Sequence, residues 1–272
     1  MLNHNRAGLW AGALCVLTLA GGCTSTEDAG PPPEPLRFAV ICAPEISGSF
    51  DLESPTPDEL LLEAVTILSV EPDLAFCLVP GPVLGQVDGS PDAEEEQEIA
   101  RELLIGGLGS LACPVYVALS SDDPTLLEQL TEGVPGNPGE LAFWADPLQG
   151  VQVVVLDPAT GNLPEPAHAD GPSDDESTPS APTIGVLASG RVLRPPHDVT
   201  LLVKSGGEFM LHDARGAELR VPSLLTPPHL IAIVTVDPGG KVSVHAVSVW
   251  PDQEAPTDPD PLVVPGLAAP AD

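Results

Sequence analysis

The sequence has few aromatic and few basic side chains, and each scarcity excludes something. Aromatic residues make up only 3% of the 272 residues, although hydrophobic residues reach 43%. A sizeable core is therefore predicted, and it must be built from Val, Leu, Ile and Ala. Only 9 Lys and Arg stand against 40 Asp and Glu, which gives a formal net charge of −31. Nucleic-acid phosphates and an anionic membrane surface would both repel such a chain, so nucleic acid is not expected as a partner.

Common catalytic motifs are also missing. The sequence has no G-x-S-x-G elbow and no P-loop,. Its cysteines lack the spacing of a metal site. Cys42, Cys77 and Cys113 each lie in or beside an apolar run, so they are predicted to be small buried core residues,. A disulfide between Cys42 and Cys77 stays open as an alternative.

The N-terminus predicts an export signal. Residues 7–20 form an apolar run that is too short to span a bilayer,. Two glycines and Cys23 follow, which resembles the lipobox of bacterial lipoproteins, where the cysteine is diacylated and becomes the new N-terminus. The resemblance implies a signal peptide over residues 1–22, a lipid on Cys23 and, because Thr24 comes next, an outer-membrane lipoprotein of the bacterial envelope. An ordinary signal peptide, giving a periplasmic or secreted protein, is the alternative.

Proline and charge divide the remainder of the chain. Residues 23–35 are polar and Pro-rich and predict a stiff tether,. Residues 36–250 carry the apolar runs of one folded domain. Within them the acidic stretch 158–180 is predicted to be a solvated loop, disordered in part. Residues 251–272 are again Pro-rich and are interpreted as a C-terminal tail.

The first half of the domain alternates strand and helix signals. Leu36–Cys42 is a nearly continuous apolar run, typical of a strand buried on both faces,. Thr56, Pro57 and Glu59 have the spacing of a helix start with a capping box. A second buried strand ends at Val79. Because the two strands flank a helix, parallel pairing with a right-handed crossover is predicted.

The second half is richer in strands. Strands are predicted at 151–156, 183–187, 199–204, 218–221, 230–236 and 241–249. A hairpin turn at Asp237–Gly240 joins the last two. A second helix over 91–108, a third strand over 113–119 and a short helix over 125–132 complete the set. Together they predict an α/β fold, a layered αββα sandwich of two mixed β-sheets flanked by helices.

The segments that follow the predicted strands form a series. They are APEI after the first strand, PGPVLG after the second, SSDDP after the third, ASG at 188–190 and GGEF at 206–209. With these flanks and this strand spacing, residues 36–249 resemble the calcineurin-like metallophosphoesterase family. The resemblance implies that the sandwich is metallophosphoesterase-like, with a site at the carboxyl ends of the strands.

The metal-ligand motifs of that family are replaced at the matched positions. The family has D-x-H, G-D, G-N-H-[DE], a lone His and G-H-x-H at these strand ends. The degenerate positions here are Ala43, Glu45, Pro82, Ser121, Asp122, Ala188, Gly207 and Phe209. Pro82 stands where the family has the carboxylate that bridges both metals. Since two-metal phosphoester hydrolysis depends on such ligands, the resemblance implies a catalytically inactive relative with no expected cofactor.

Carboxylates are still present near the predicted cleft. They are Glu45, Asp122, Asp123 and Glu208. Their oxygens suit a hard cation, so a calcium or manganese ion at a remodelled acidic site is one interpretation. A solvated acidic rim is the other, and Asp123 could serve instead as the N-cap of the short helix. The later histidines fall on none of the motifs and are interpreted as surface or structural: His168, His197, His212, His229 and His245.

The function predicted from the sequence is therefore not catalytic. It is a metallophosphoesterase-like envelope lipoprotein, a pseudoenzyme, that binds or scaffolds an envelope protein or ligand and reaches the membrane through its lipid anchor. One alternative is an active metal-dependent phosphoric ester hydrolase that uses the acidic carboxylates. The other is a passive acidic surface lipoprotein.

Overall fold

The structure, a computed structural model, contains three helices and two six-stranded sheets among the residues it describes. The described residues are 34–47, 55–85, 93–120, 123–148, 151–165, 182–188, 196, 198–213, 216–251 and 253–267. The predicted signal peptide, Cys23 and most of the acidic loop lie outside them. No helix among these residues combines the length and apolar character needed to cross a membrane.

The elements alternate at first and then become almost entirely strands. In chain order they are β1 (Leu36–Val40), α1 (Pro57–Ser69), β2 (Phe76–Pro80), α2 (Ala93–Gly109), β3 (Val115–Ala118), α3 (Pro124–Gly133), β4 (Phe143–Leu148), β5 (Val151–Val155), β6 (Thr183–Leu187), β7 (Leu201–Ser205), β8 (Met210–Asp213), β9 (Ala217–Val221), β10 (Leu230–Val236), β11 (Lys241–Ser248) and β12 (Leu262–Val263).

The first sheet has the strand order β12-β11-β10-β1-β2-β3. β1, β2 and β3 run parallel, which confirms the predicted strand–helix–strand pairing. β10, β11 and β12 join them through antiparallel pairs, and β10 and β11 form the predicted hairpin. The capping box at the start of α1 is also present: the Thr56 hydroxyl accepts from the Glu59 N–H at 3.2 Å, and the Glu59 carboxylate accepts from the Thr56 N–H at 3.0 Å.

The second sheet has the order β4-β5-β6-β7-β9-β8. Its four inner strands run parallel, and β4 and β8 pair antiparallel at the two edges. Both sheets are therefore mixed, as predicted.

The layers follow from which faces are apolar. The inner faces of the two sheets share one core of mostly Val, Leu and Ile, in which Phe38 and Phe76 stack at 4.9 Å between ring centroids. The opposite face of the first sheet packs on all three helices through residues such as Leu61, Leu104 and Leu130. The outer face of the second sheet carries a smaller buried cluster around Leu202, and no helix lies there among the described residues. The described layers are thus helices, sheet and sheet.

Several features depart from the expectations. β4, β8 and β12 were not predicted. β12 lies beyond residue 250, where we placed the end of the domain, and Val264 and Leu267 next to it are buried in the core between the sheets. The alternative disulfide is wrong. Cys42 faces the core between the sheets, whereas Cys77 faces the helices, and both thiols are free and buried, as is Cys113.

Candidate functional site

The loops that were expected to carry metal ligands meet at one edge of the sandwich. Ala43 follows β1, Gly81 follows β2, and Ser205 ends β7 in the other sheet. A Cβ placed on Gly81 would lie 2.9 Å from the Cβ of Ala43 and 3.1 Å from the hydroxyl oxygen of Ser205. Three strand ends from two sheets therefore touch here, and protein atoms fill the space between them.

Hydrogen bonds hold Ala43 in this position. Its N–H donates to the Pro80 carbonyl at 2.9 Å, and its carbonyl accepts from the Ser223 hydroxyl at 3.0 Å. Ala43 is only 2% exposed and has a φ of 42°, which L residues adopt infrequently,. Ala43 is thus a packed structural element of the edge.

The loops after β1 and β2 stay paired beyond the ends of the strands. The Glu45 N–H donates to the Pro82 carbonyl at 3.3 Å, and Ile46 forms a parallel bridge with Leu84. Gly85 then donates to the Ile46 carbonyl at 2.8 Å. Glu45 is half-buried, and this burial raises the pKa of its carboxyl. The two loops therefore form a continuous wall, with one carboxyl in it that loses part of its hydration.

Asp123 has a structural role. Its Oδ1 accepts from the Thr125 and Leu126 N–H groups at 3.0 and 3.1 Å, which makes it the N-cap of α3. Its Oδ2 accepts from Arg101 Nη2 at 2.9 Å and from Nε at 3.3 Å. Burial raises the pKa of the Asp123 carboxyl, but the Arg101 guanidinium and the helix N–H donors outweigh that effect and lower it. Both oxygens already have partners, so the structure supports the N-cap and not a cation ligand.

The other predicted positions do not come together as a metal centre. Ala188 is buried, Phe209 packs on the core between the sheets, and Gly207 and Glu208 are exposed. Ser121 and Asp122 lie outside the described residues. Within the described part of the chain, no group of three His, Cys, Asp or Glu side chains is placed to hold a metal ion. Glu45, Asp123 and Glu208 thus do not form the acidic cation site considered from the sequence.

The histidines of the described residues make other contacts. His229 Nδ1 contacts the Leu224 carbonyl at 2.9 Å, and His245 Nδ1 lies 2.9 Å from Asp258 Oδ2. His212 is on β8, and its Nδ1 is buried without a hydrogen-bond partner. His168 and His197 lie outside the described residues.

A cavity of about 370 Å³ opens beside the wall, at the carboxyl ends of β2 and β3. Its lining is Pro82, Val83, Leu84, Gly85, Gln97, Leu119, Ser120, Asp123 and Leu126. We call it the β2–β3 cavity. The lining combines apolar side chains with the polar side chains of Gln97, Ser120 and Asp123, and a concave site of this volume can hold a small ligand,.

A second cavity, of about 280 Å³, was missed by the sequence reasoning. It is lined by Lys204, Ser205, Gly206, Gly207 and Arg220, and we call it the Lys204 cavity. The ammonium of Lys204 lies 2.8 Å from Glu218 Oε1, and Arg220 Nε bonds to the same oxygen. Burial raises the pKa of the Glu218 carboxyl, but Lys204 and Arg220 outweigh it and lower the pKa. The sequence feature that could have indicated this cavity is Lys204, a lysine at the end of an otherwise apolar strand.

Comparison with known proteins adds little. No family model matches the sequence, and no curated protein matches it. Among solved structures, the chain is similar to one described as GAP50, the anchor in the inner membrane complex of Plasmodium. The identity is 11% and the TM-score 0.46, over 82% of this chain and 87% of that one. An overlap of this degree carries no argument about function.

Proposed function

We propose that the protein is a catalytically inactive, metallophosphoesterase-like envelope lipoprotein that binds or scaffolds a partner. The observation that carries the proposal is the contact between Ala43, Gly81 and Ser205. In the family that the sequence resembles, the ends of these strands hold metal ligands. Here they hold a methyl group, a glycine and a hydroxyl that pack against one another.

The physical reason is the space and the donors that two-metal chemistry requires. Two cations about 3.5–4 Å apart must each be held by several oxygen or nitrogen ligands. Pro82 offers no side-chain donor at the place of the bridging carboxylate, and Ala43 and Ala188 offer none at theirs. Because Gly81 already lies against Ala43, an ion could enter only if the wall of paired loops moved apart.

The same edge has the shape of a binding surface. The β2–β3 cavity is concave, lined by both apolar and polar side chains, and located where open α/β sheets usually bind ligands,. Asp123 and Arg101 fix its rim through a paired, partly buried contact. These features support binding at an old catalytic edge that has lost its ligands.

The anchor part of the proposal depends on sequence alone. Residues 7–20 and Cys23 have the pattern of a lipoprotein signal,. A lipid with more than one acyl chain would hold the protein stably on a membrane. The test is mass spectrometry of the N-terminal peptide together with detergent-phase partitioning of the wild type and Cys23→Ser. Loss of partitioning in the variant is expected, and an unmodified Cys23 in the wild type would contradict the anchor.

The catalytic part is tested by metal content and turnover. We expect protein purified without added metal to carry no metal above the buffer level. We also expect no cleavage of bis(p-nitrophenyl) phosphate above the uncatalysed rate with Mn²⁺ or Ca²⁺. Two tightly bound ions per chain, or turnover that Glu45→Gln and Asp122→Asn abolish while exposed Glu132→Gln does not, would establish the alternative of a remodelled acidic metal site.

The binding part is tested by site-specific crosslinking in cells. A photo-crosslinking residue at Gln97, in the β2–β3 cavity, is expected to give one discrete adduct. The same residue at exposed Glu63 on α1, away from the cavity, is the matched control and is expected to give none. Equal patterns from both positions would favour the passive acidic lipoprotein.

A further inference from the structure

We propose that the Lys204 cavity is a binding site for a small oxyanion, namely a carboxylate or phosphate group. This inference goes beyond the proposed function, because it names a ligand chemistry at a different cavity. It depends on the arrangement of Lys204, Glu218, Arg220 and the two glycines that follow β7.

The cavity concentrates positive charge in a chain that has very little. Only 9 of the 272 residues are Lys or Arg, and Lys204 and Arg220 are two of them. They face each other in the register between β7 and β9, so their side chains leave the same face of the second sheet,. With Glu218 between them, the three charges leave a net charge of +1 beside the cavity.

The ammonium of Lys204 still has unused donors. The residue is 5% exposed, so water does little to solvate it. An ammonium has three N–H donors, yet Glu218 Oε1 is its one partner among the described residues. A buried charge that is only partly hydrogen-bonded costs free energy. An oxyanion in the cavity would supply the missing acceptors.

Arg220 adds a planar guanidinium whose N–H donors can bind a carboxylate or phosphate group. Its Nε bonds to Glu218, which fixes the guanidinium and leaves both Nη nitrogens without a partner among the described residues. Paired N–H donors of arginine match the geometry of carboxylate and phosphate oxygens. The role of Glu218 is therefore positioning: it holds both cations and leaves their outer donors free.

The loop after β7 keeps the mouth of the cavity open. Gly206 and Gly207 have φ values of 101° and 78°, a region that strongly favours glycine,. The Gly206 N–H donates to the Val221 carbonyl at 2.9 Å, whereas the Gly207 N–H has no partner among the described residues. A Cβ on Gly206 would meet no atom within 4 Å. The Gly207 N–H is therefore the backbone donor of this loop that remains for an anion.

The size suits a small ligand and not a macromolecule. At about 30 Å³ per water, a cavity of about 280 Å³ has room for roughly nine waters. A phosphate, or a carboxylate with a short attached chain, fits within that volume.

The test is isothermal titration calorimetry of the full chain with two probes, inorganic phosphate and acetate. We expect saturable binding of at least one probe at one site per chain, and the stronger of the two identifies the preferred group. Arg220→Gln is expected to weaken it by about tenfold or more, since it removes charged donors. Arg37→Gln, which removes a different arginine that is paired with Glu71, is the matched control and is expected to bind as the wild type does.

Lys204→Met tests the buried cation directly, and circular dichroism reports whether that variant folds. Arg220 is 37% exposed, so Arg220→Gln is expected to fold. It therefore tests the inference even if Lys204→Met does not fold. No saturable binding of either probe to the folded wild type, or the same affinity in folded Arg220→Gln, would overturn the inference. Neither result bears on metal content or phosphodiester turnover, so the inference and the proposed function can fail separately.

Discussion

The Cβ of Ala43 lies 2.9 Å from the position that a Cβ on Gly81 would occupy. Real Cβ atoms essentially never come this close to another carbon, so the contact requires glycine at position 81. It also joins the ends of β1 and β2 at the place where the sequence predicted an emptied metal site. The packing of this edge can therefore be tested without reference to any ligand.

Gly81→Ala should lower the free energy of unfolding by about 2–6 kcal/mol. A φ of 112° strains any L residue by about 1–3 kcal/mol,. The close contacts with Ala43 and Ser205 add an overpacking cost of about 1–3 kcal/mol,. Urea denaturation followed by circular dichroism measures the loss.

Gly206→Ala is the matched control for that experiment. Gly206 has a similar φ of 101°, but a Cβ there meets open space. Gly206→Ala should lower the free energy of unfolding by the backbone strain alone, about 1–3 kcal/mol. Equal losses in the two variants would show that Gly81 does not pack against Ala43 in solution.

Asp123→Ala should destabilise the protein more than Asp123→Asn. Alanine removes the N-cap of α3, which contributes about 0.5–2 kcal/mol, and it also removes one of the two carboxylates that pair with Arg101, the other being Glu98. Asparagine keeps an acceptor for the Thr125 and Leu126 N–H groups and loses only the charge. Urea denaturation of both variants, with exposed Glu132→Ala on the same helix as control, measures the difference. A larger loss with Asn than with Ala would contradict the capping role.

Glu218 should make the stability depend on acid pH. Its pKa is lowered from the ordinary value of 4.5 by Lys204 and Arg220. The stabilisation is therefore fully present above that value and is lost as the pH falls through the lowered pKa.

Glu218→Gln measures that contribution. Breaking a buried ion pair costs about 3–5 kcal/mol, so a loss of about 2–4 kcal/mol is expected at neutral pH, with Lys204 left buried and unpaired. The difference in free energy of unfolding between the wild type and Glu218→Gln should become smaller as the pH falls below 4.5. Glu254→Gln, at an exposed position, is the control. A difference in unfolding free energy between the wild type and Glu218→Gln that stays constant with pH would contradict the predicted role of the Glu218 carboxylate.

Cys42 and Cys77 should resist alkylation in the native protein. Both are fully buried, and burial raises the pKa of each thiol, so the reactive thiolate is scarce,. Cys113 is 8% exposed and should react slowly. Iodoacetamide labelling under mildly alkaline conditions, followed by peptide mass spectrometry, should modify Cys113 slowly in the folded protein and Cys42 and Cys77 only after denaturation in urea. Rapid labelling of Cys42 in folded protein would contradict its position in the core.

Local patterns in the sequence predicted much of the first sheet. The apolar run at β1 and the capping signals of Thr56 and Glu59 depend on neighbours in the chain, which the sequence displays. β8 and β12 were missed because they are short edge strands of four and two residues. Their pairing is decided by distant partners, and no periodicity marks them.

The site divides in the same way. The sequence shows that Ala43, Pro82 and Ala188 carry no side chain that can bind a metal, but it does not show the close approach of Gly81 to Ser205, which joins two sheets. The Lys204 cavity could not be predicted for a related reason. Lys204 meets Arg220 only because β9 lies next to β7 while β8, which comes between them in the chain, is placed at the edge.

The C-terminal segment also covers part of the edge of β11, whose outward backbone groups would otherwise lack partners. β12 pairs with the start of β11 at Lys241 and Val242, and farther along Asp258 accepts the outward Ala246 N–H at 2.8 Å. An uncovered edge strand is a template on which another chain can add by backbone pairing. A strand of two residues and one aspartate are thus enough to discourage edge-to-edge polymerisation of a chain that would otherwise present β11 to its copies.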